Sequence, residues 1–422
     1  MIKPEKENHP VIKEYPVGTI FGEEEIDAIR RVLQSGEPLT RGPDVELFEK
    51  EFAKYCGAKY AVAVSSCGAA LTISSKILGL KPDDEVICQG NAFWVTHNHL
   101  HKKNVRIICA DVDPETLNID PDKIEPLITK KTKAIYLMHH GGNPADLDPI
   151  RNIAMNHGLE IVEDCAHALG AEYKGKKIGQ DSSISCFSFS TLKNISTLGE
   201  GGMFVTNNNE FAELARRYRT NYPHGISKKR KTSPLGGYPK PQILAFMNAG
   251  DSLDYDWTEL LEMGSTYRMS TPQAAVGRVQ LKKLDSLIEK RKNIALRYND
   301  IINEIDGLRT IKVLPDCKHA WHLFSYFLDS EAGINRDRLV EYMSDKHRIQ
   351  IMIRFWPINL DKIMRMNGCG VGGCDRCVGL DNLERVWFRE QLSLPISPQI
   401  SDDDIDHIAK ALMQSMNELG TL

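Results

Sequence analysis

The sequence lacks any apolar run long enough to cross a bilayer, and its first residues lack the hydrophobic core of a signal peptide. It also lacks an excess of either charge, since 53 Lys and Arg side chains stand against 57 Asp and Glu side chains. The net charge of −4 gives no electrostatic reason to expect nucleic acid or an anionic membrane surface as a partner. We therefore expect a cytoplasmic protein that binds neither nucleic acid nor membrane.

Two kinds of motif are absent as well. No internal repeat or low-complexity tract is visible, so a repeat architecture is not indicated. No G-x-G-x-x-G follows a first strand, which argues against a nicotinamide-binding oxidoreductase. The ten cysteines are scattered mostly through strand-like segments, which predicts reduced thiols and not a disulfide framework.

The apolar pattern that is present indicates an α/β fold. Strand-like and helix-like segments alternate between residues 60 and 206, and such alternation implies a mostly parallel sheet with helices on both faces. The predicted strands are 61–65, 85–89, 105–111, 133–138, 160–164, 183–189 and 202–206.

The chain is longer than a single hydrophobic core usually supports, so two domains are expected. An N-terminal arm covers residues 1–20, and helical spacing of apolar residues begins at residue 22. A large domain over 21–290 carries an insert at about 225–254. A long helix over 273–290 leads to a smaller α+β domain at 291–422.

Lys193 lies in a polar loop that follows the strand-like residues 183–189 and closes on Glu200-Gly201-Gly202. A lysine held just past a strand end is pre-positioned, and it can form an imine with a carbonyl group. The alternative for Lys193 is an ordinary surface lysine. Its position becomes informative only together with an acidic residue further upstream.

Asp164 ends the strand-like segment 160–164. Ligands of open α/β sheets bind at the carboxyl ends of strands, so Asp164 and Lys193 are expected at one sheet edge. Pyridoxal 5′-phosphate needs such a pair, because a lysine forms its Schiff base and a carboxylate keeps its pyridine nitrogen protonated. The alternative role for Asp164 is a helix cap.

Further short motifs follow in order along the chain. They are Gly36-Glu-Pro-Leu-Thr-Arg-Gly42-Pro43, Phe48-Glu49, Phe52-Ala53, Asn91-Ala-Phe93-Trp-Val-Thr96, Glu163-Asp164-Cys-Ala-His167, Phe187-Ser188-Phe189, Tyr267-Arg268-Met269, Gln273-Ala274-Ala275 and Leu394-Pro395. In this order and spacing, the chain from about residue 15 onward resembles the DegT/DnrJ/EryC1/StrS family of sugar aminotransferases. The resemblance implies the type I pyridoxal-phosphate aminotransferase fold.

The resemblance also implies roles for residues around the cofactor ring. Lys193 is the Schiff-base lysine and Asp164 the partner of the pyridinium nitrogen. His167 matches the Gln or His near the phenolic oxygen, with a satisfied core histidine as the alternative. Phe93 matches the aromatic residue that stacks on the ring. We expect Trp94 to point away from the ring because the segment is taken as extended.

Other matching positions concern the cofactor phosphate. The amides of Gly68 and Ala69 open a helix after a strand and are expected to hold the phosphate. The family usually has Gly-Thr where this chain has Cys67-Gly68, so the threonine hydroxyl contact is absent. Ser188 matches a hydroxyl donor to the same phosphate. Thr266 stands where the family often has an asparagine that reaches the neighbouring subunit's phosphate, which implies a homodimer with shared active sites.

The implied reaction is transamination, in which Lys193 moves a proton between the amino donor and the cofactor and glutamate is the usual donor. Dehydratase relatives carry histidine at position 193, so the lysine favours amino transfer; a dehydratase-type enzyme is the alternative. A non-catalytic cofactor-binding regulator would need a DNA-binding helical domain, for which the short N-terminal arm leaves no room.

Two segments depart from the family's usual length. The basic insert at about 225–254 is either a solvated loop or a lid for an anionic sugar. Cys369, Cys374 and Cys377 have C-x4-C-x2-C spacing, which indicates either a metal or iron–sulfur site completed by Cys317, or loop thiols without metal. We expect loop thiols and no metal.

The sequence leaves the keto-sugar substrate open. Nucleotide-linked hexoses, keto-inositols and keto-octulosonate sugar acids are the classes used by similar proteins. The distinguishing residues are expected in loops, including His97, His99, Arg354 and the insert. These departures favour a non-hexose or acidic substrate.

Overall fold

The computed structural model of this chain describes residues 12–13, 15–220, 264–366 and 379–420. The insert at 225–254 and the cysteines of the C-x4-C-x2-C motif lie outside these residues, so the predictions for them stay predictions. The seven cysteines within the described ranges are all free thiols. Across the same ranges, no helix combines the length and the apolar character needed to span a membrane.

Helices and strands alternate through the first half of the chain, as expected. The helices are α1 (Glu23–Gln34), α2 (Pro43–Cys56), α3 (Cys67–Ile77), α4 (Val95–His101), α5 (Leu147–His157), α6 (Asn209–Tyr218), α7 (Thr271–Asn303), α8 (Arg336–His347), α9 (Lys362–Met366), α10 (Asp381–Arg385) and α11 (Asp402–Gly420). The strands are β1 (Tyr60–Val64), β2 (Glu85–Gln89), β3 (Arg106–Ala110), β4 (Thr132–Met138), β5 (Glu160–Asp164), β6 (Glu172–Tyr173), β7 (Lys176–Lys177), β8 (Ile184–Ser188), β9 (Gly202–Thr206), β10 (Leu308–Thr310), β11 (Cys317–Lys318), β12 (Phe324–Leu328) and β13 (Gln391–Leu394).

The main sheet has seven strands in the order β1-β9-β8-β5-β4-β2-β3. Strand β9 is antiparallel to both neighbours, and the remaining pairs are parallel. The predicted, mostly parallel sheet is confirmed. Strands β2, β5 and β9 match the predicted residues, β4 differs by one residue at its start, and β1, β3 and β8 differ by one residue at each end.

Both faces of this sheet are buried, which is why its strands are rich in apolar residues. Ile87, Ile135 and Phe187 point into a core that α2 and the first half of α7 cover. Their strand neighbours Val86 and Tyr136 point into the opposite core, which contains α3. Successive side chains of a strand alternate between faces, so each strand feeds both cores.

The C-terminal part of the chain has its own antiparallel sheet in the order β10-β12-β13. Helices α8 and α11 and the second half of α7 pack in its core. Helix α7 is longer than the predicted 273–290, because Ile294, Tyr298 and Ile302 continue its buried stripe. It begins at the capping box of Ser270 and Gln273. The boundary predicted near residue 290 falls between its two buried halves and stays a prediction.

Candidate active site

A cavity of about 780 Å³ lies at the carboxyl ends of β4, β5 and β8. This is the edge at which ligands of open α/β sheets bind. Seven of the eight predicted site residues line it: Gly68, Ala69, Phe93, Asp164, His167, Ser188 and Lys193. The structure therefore brings together groups that are spread over 126 positions of the sequence, from 68 to 193.

Asp164 is the last residue of β5, and its side chain is buried at 3% exposure. Its Oδ2 accepts a hydrogen bond of 2.6 Å from the Thr96 hydroxyl, and its Oδ1 accepts one of 3.0 Å from the Ala166 amide. The Cys67 thiol lies 3.7 Å from Oδ1. These donors fix the direction of the carboxylate at the cavity wall and partly replace its lost hydration.

Lys193 follows β8 in a loop where its amide donates to the Ser190 carbonyl over 3.0 Å. The next side chain, Asn194, donates from Nδ2 to the Ala320 carbonyl over 2.9 Å. This contact ties the lysine loop to a segment of the C-terminal half. In the cavity, Lys193 Nζ lies 3.4 Å from His322 Nε2.

Three neighbouring rings form one wall of the cavity. The His167 ring lies 4.3 Å from the His322 ring and 5.5 Å from the Phe355 ring, centroid to centroid. Burial, reinforced by the nearby Lys193 charge, lowers the pKa of both His167 and His322 well below the usual range. Both imidazoles are therefore neutral near pH 7. Within the described residues, the buried Nδ1 of His167 has no hydrogen-bond partner and so is open to a bound group.

The start of α3 forms the other end of the cavity. Gly68 is the second residue of the helix, so its amide has no acceptor inside α3. The Ala69 amide donates to the Ser66 hydroxyl over 3.1 Å, which differs from the expectation that it is available to a phosphate. The N-cap serine has already taken that donor. Ser188 ends β8 at the same cavity, with its hydroxyl 3.4 Å from the Ser190 amide.

Phe93 and Trp94 both line the cavity, with ring centroids 5.4 Å apart. The expectation that Trp94 points away is wrong, because its backbone is helical (φ −53°, ψ −23°) and not extended. Successive side chains alternate in direction only along an extended strand. Phe93 also contacts Phe355, at 5.6 Å between centroids.

Of the remaining predicted positions, two line the cavity and two do not. His99 and Arg354 line the cavity, while His97 is buried in α4 with its Nδ1 3.4 Å from His101 Nε2. His97 and His99 thus lie on helix α4, whereas the sequence predicts a loop for them. Thr266 is exposed and outside the cavity lining, so its contact with a neighbouring subunit stays a prediction.

Sequence reasoning assigned no role to three residues that complete this site. Thr96 lies in the Asn91–Thr96 motif, which gives no sign that its hydroxyl donates to Asp164. His322 and Phe355 come from the C-terminal half and reach the site through chain topology. The local signal for His322 is a histidine two residues before an apolar strand, which is too common to be specific.

A second polar cluster lies at the ends of β4 and β5. Buried atoms of His139, Glu163 and Cys165 approach one another within 4.8 Å, a donor set that suits zinc. However, His139 Nδ1 accepts a hydrogen bond of 3.0 Å from the Ala145 amide, so its proton is on Nε2. That nitrogen lies 3.5 Å from Glu163 Oε2, and because it carries the proton it has no lone pair to offer a metal. The cluster is a hydrogen-bonded network.

The residues of the cavity fit pyridoxal 5′-phosphate. The α3 N-terminus suits a phosphate dianion, and the buried carboxylate of Asp164 suits a protonated ring nitrogen. Phe93 offers an aromatic face, Lys193 a primary amine, and the unpartnered His167 Nδ1 a polar contact. Fold and site together define a pyridoxal-phosphate enzyme of the type I aminotransferase fold.

Comparison with known proteins gives the family. Residues 19–413 match the DegT/DnrJ/EryC1/StrS aminotransferase family, and the chain belongs to it. It is 37% identical over 409 residues to the spore coat polysaccharide biosynthesis protein SpsC of Bacillus subtilis, with 97% of each chain covered. The cofactor of this family is pyridoxal phosphate.

Solved structures agree with this assignment. DesV of S. venezuelae, in complex with a ketimine intermediate, has a TM-score of 0.77 at 30% identity, covering 93% of this chain and 94% of its own. NtdA of Bacillus subtilis, with bound PMP, has a TM-score of 0.77 at 26% identity and coverages of 94% and 82%. The GDP-4-keto-6-deoxymannose-3-dehydratase ColD has a TM-score of 0.80 at 25% identity, covering 96% and 100%.

Proposed function

We propose that this protein is an aminotransferase that moves an amino group from L-glutamate to a keto-sugar in amino-sugar biosynthesis. The observation that carries the proposal is Lys193, a primary amine that lines the same cavity as the buried carboxylate of Asp164. When bound, pyridoxal phosphate supplies an aldehyde that bonds to primary amines and a ring that accepts an electron pair.

The chain's own residues then have distinct tasks. The Lys193 amine, once released by an amino donor, carries the proton between the donor's α-carbon and the cofactor. Asp164, held by Thr96 and Ala166, keeps a proton on the ring nitrogen by charge-assisted hydrogen bonding. Neutral His167 would offer the ring a polar contact without adding a second positive charge near Lys193.

The relatives and the cavity support a sugar as the substrate. SpsC takes part in polysaccharide biosynthesis by its name, which supports a sugar acceptor. A cavity of about 780 Å³ has room for a sugar beyond the cofactor. Nucleotide-linked keto-deoxyhexoses, keto-inositols and keto-octulosonates are the candidate acceptors, for polysaccharide, lipopolysaccharide or antibiotic synthesis. We place the reaction in the cytoplasm.

A sugar 3-dehydratase of the same family is the second candidate, because ColD is a structural neighbour. Elimination of a hydroxyl group requires no amine at position 193, whereas amino transfer does. The lysine therefore favours amino transfer.

A screen of keto-sugars against the glutamate-charged protein tests the proposal. The expected result is return of the visible cofactor absorption with one acceptor class, together with an amino-sugar of matching mass. Lys193→His serves as the matched variant and should lose amino transfer. A deoxy-sugar product without nitrogen from the unaltered protein would instead establish the dehydratase.

We also propose a homodimer in which each subunit contributes to its neighbour's site. The exposed Thr266 lies outside its own cavity, which supports a contact across an interface. Sedimentation equilibrium should give twice the chain mass, and Thr266→Ala should weaken cofactor binding without dissociating the dimer. A monomer would contradict this.

A further inference from the structure

His322 lies next to the Lys193 amine, and the proposed chemistry gives it no role. Its side chain is 4% exposed, and its Nε2 lies 3.4 Å from Lys193 Nζ. The contact joins two residues that are 129 positions apart in the sequence.

The backbone holds His322 at this place through an independent set of hydrogen bonds. The Ala320 amide donates to the Gly142 carbonyl over 2.9 Å, and the Leu323 amide donates to the Gly141 carbonyl over 3.0 Å. Gly142 has φ +97°, and a Cβ there would lie 2.8 Å from the His167 carbonyl oxygen. The loop that carries His322 is therefore locked against the loop that follows β4.

Two further contacts fix the distance between His322 and the lysine loop. Asn194, next to Lys193, donates to the Ala320 carbonyl over 2.9 Å. Buried Arg291 of α7 donates to the Trp321 carbonyl over 3.2 Å and to the Gly18 carbonyl over 2.6 Å. The segment before His322 is thus tied on both sides, and the imidazole has little freedom to move away from the amine.

The protonation state of His322 suits an acceptor. Burial first, and then the nearby charges, lower the pKa of His322 well below its usual range. The charged or titratable groups that face it are Lys193, His167, Arg291 and Arg354. A neutral imidazole has one bare nitrogen, and the Nε2 that faces Lys193 can accept its proton in a hydrogen bond.

We propose that His322 is a positioning residue for Lys193: its Nε2 accepts a hydrogen bond from the lysine nitrogen and aims that nitrogen at the reacting carbon. The inference rests on the proposed function. The proton stays on the Lys193 nitrogen, and His322 does not touch the substrate. A hydrogen bond that is accepted from the protonated nitrogen stabilises that form and raises the pKa of the nitrogen.

The test compares His322→Leu, which removes the acceptor, with His322→Gln, which keeps an acceptor oxygen. The visible absorption of the bound cofactor is titrated with pH, because it reports the protonation of the Lys193 nitrogen. We expect the midpoint of His322→Leu to fall by about one pH unit, and that of His322→Gln to fall less. The rate of the glutamate half-reaction should fall roughly tenfold or more in His322→Leu, with little change in KM.

His319→Gln is the matched control. His319 is buried in the same loop, its Nδ1 accepts from the Trp321 amide over 2.7 Å, and it does not line the cavity. It should leave the spectral midpoint unchanged. The inference is overturned if His322→Leu titrates like the unaltered protein, or if His319→Gln shifts the midpoint equally. Failure of the unaltered protein to bind the cofactor would instead overturn the proposed function.

Discussion

At the scale of single residues, the site depends on how the buried carboxylate of Asp164 is held. The Thr96 hydroxyl donates to it over 2.6 Å from the first turn of α4, and Thr96 is fully buried. Replacing a donor to a buried charge leaves that charge partly unsatisfied, at a cost of about 1.5–3 kcal/mol. Much of this cost should appear in the bound state, where Asp164 orients the cofactor ring.

Thr96→Val is therefore expected to weaken binding of pyridoxal phosphate roughly tenfold or more, measured by quenching of tryptophan fluorescence. The Trp94 indole in the cavity wall provides a local signal. Thr206→Val is the control, since Thr206 is equally buried but donates to the Ser183 carbonyl at the far end of β9. Equal affinities for the two variants would show that Thr96 has no part in holding the cofactor.

At the scale of elements, the site requires β9 to pass very close to the start of α3. A Cβ on Gly202 would lie 2.4 Å from the Ser66 carbonyl carbon and 2.6 Å from the Cys67 nitrogen. Both of these are backbone atoms that cannot rotate away. Gly202 thereby sets where the N-terminus of α3 meets the cavity.

Gly202→Ala should displace α3 and lower the free energy of unfolding by about 1–3 kcal/mol. It should also weaken cofactor binding, because the phosphate end of the site moves. Gly22→Ala is the control, since the nearest side-chain atoms to a Cβ at Gly22 would lie 3.8 Å away. Urea unfolding and cofactor titration of both variants measure the effect, and indistinguishable curves would refute the close-approach explanation.

The sequence predicts where strands end better than it predicts individual side-chain contacts. An apolar run predicts β5 and an apolar/polar alternation predicts β8. They thereby predict the positions of Asp164 and Lys193, because a strand end fixes a location in the fold. The sequence does not predict that Ser66 takes the Ala69 amide, since capping depends on the local geometry of one turn. It also does not predict His322, which reaches Lys193 only after the loop beyond β11 pairs with the loop beyond β4.

At the scale of the whole molecule, buried neutral histidines couple stability to pH. Burial lowers the pKa of four histidines to about 3, and those of two others well below the usual range; they are His97, His99, His140 and His319, and then His167 and His322. Below pH 6.5 the unfolded chain binds protons at these residues and the folded chain does not. Stability is therefore lost as the pH falls through 6.5 towards 3.

We expect the urea midpoint of the cofactor-free protein to be clearly lower at pH 5.5 than at pH 7.5, with a slope of up to about 1.4 kcal/mol per pH unit for each of these histidines. His319→Gln removes one such group and should make the dependence shallower by one proton. A midpoint that is constant over this range would mean that the histidines are not buried as neutral groups.

The most direct test of the central claim is to locate the bond between protein and cofactor. The full chain is loaded with pyridoxal phosphate, reduced with borohydride, digested and mapped by mass spectrometry, beside Lys193→Ala. The account predicts one reduced cofactor adduct, on Lys193, in a protein that was yellow before reduction, and no adduct in the variant. A colourless protein, or an adduct on another lysine, would contradict it.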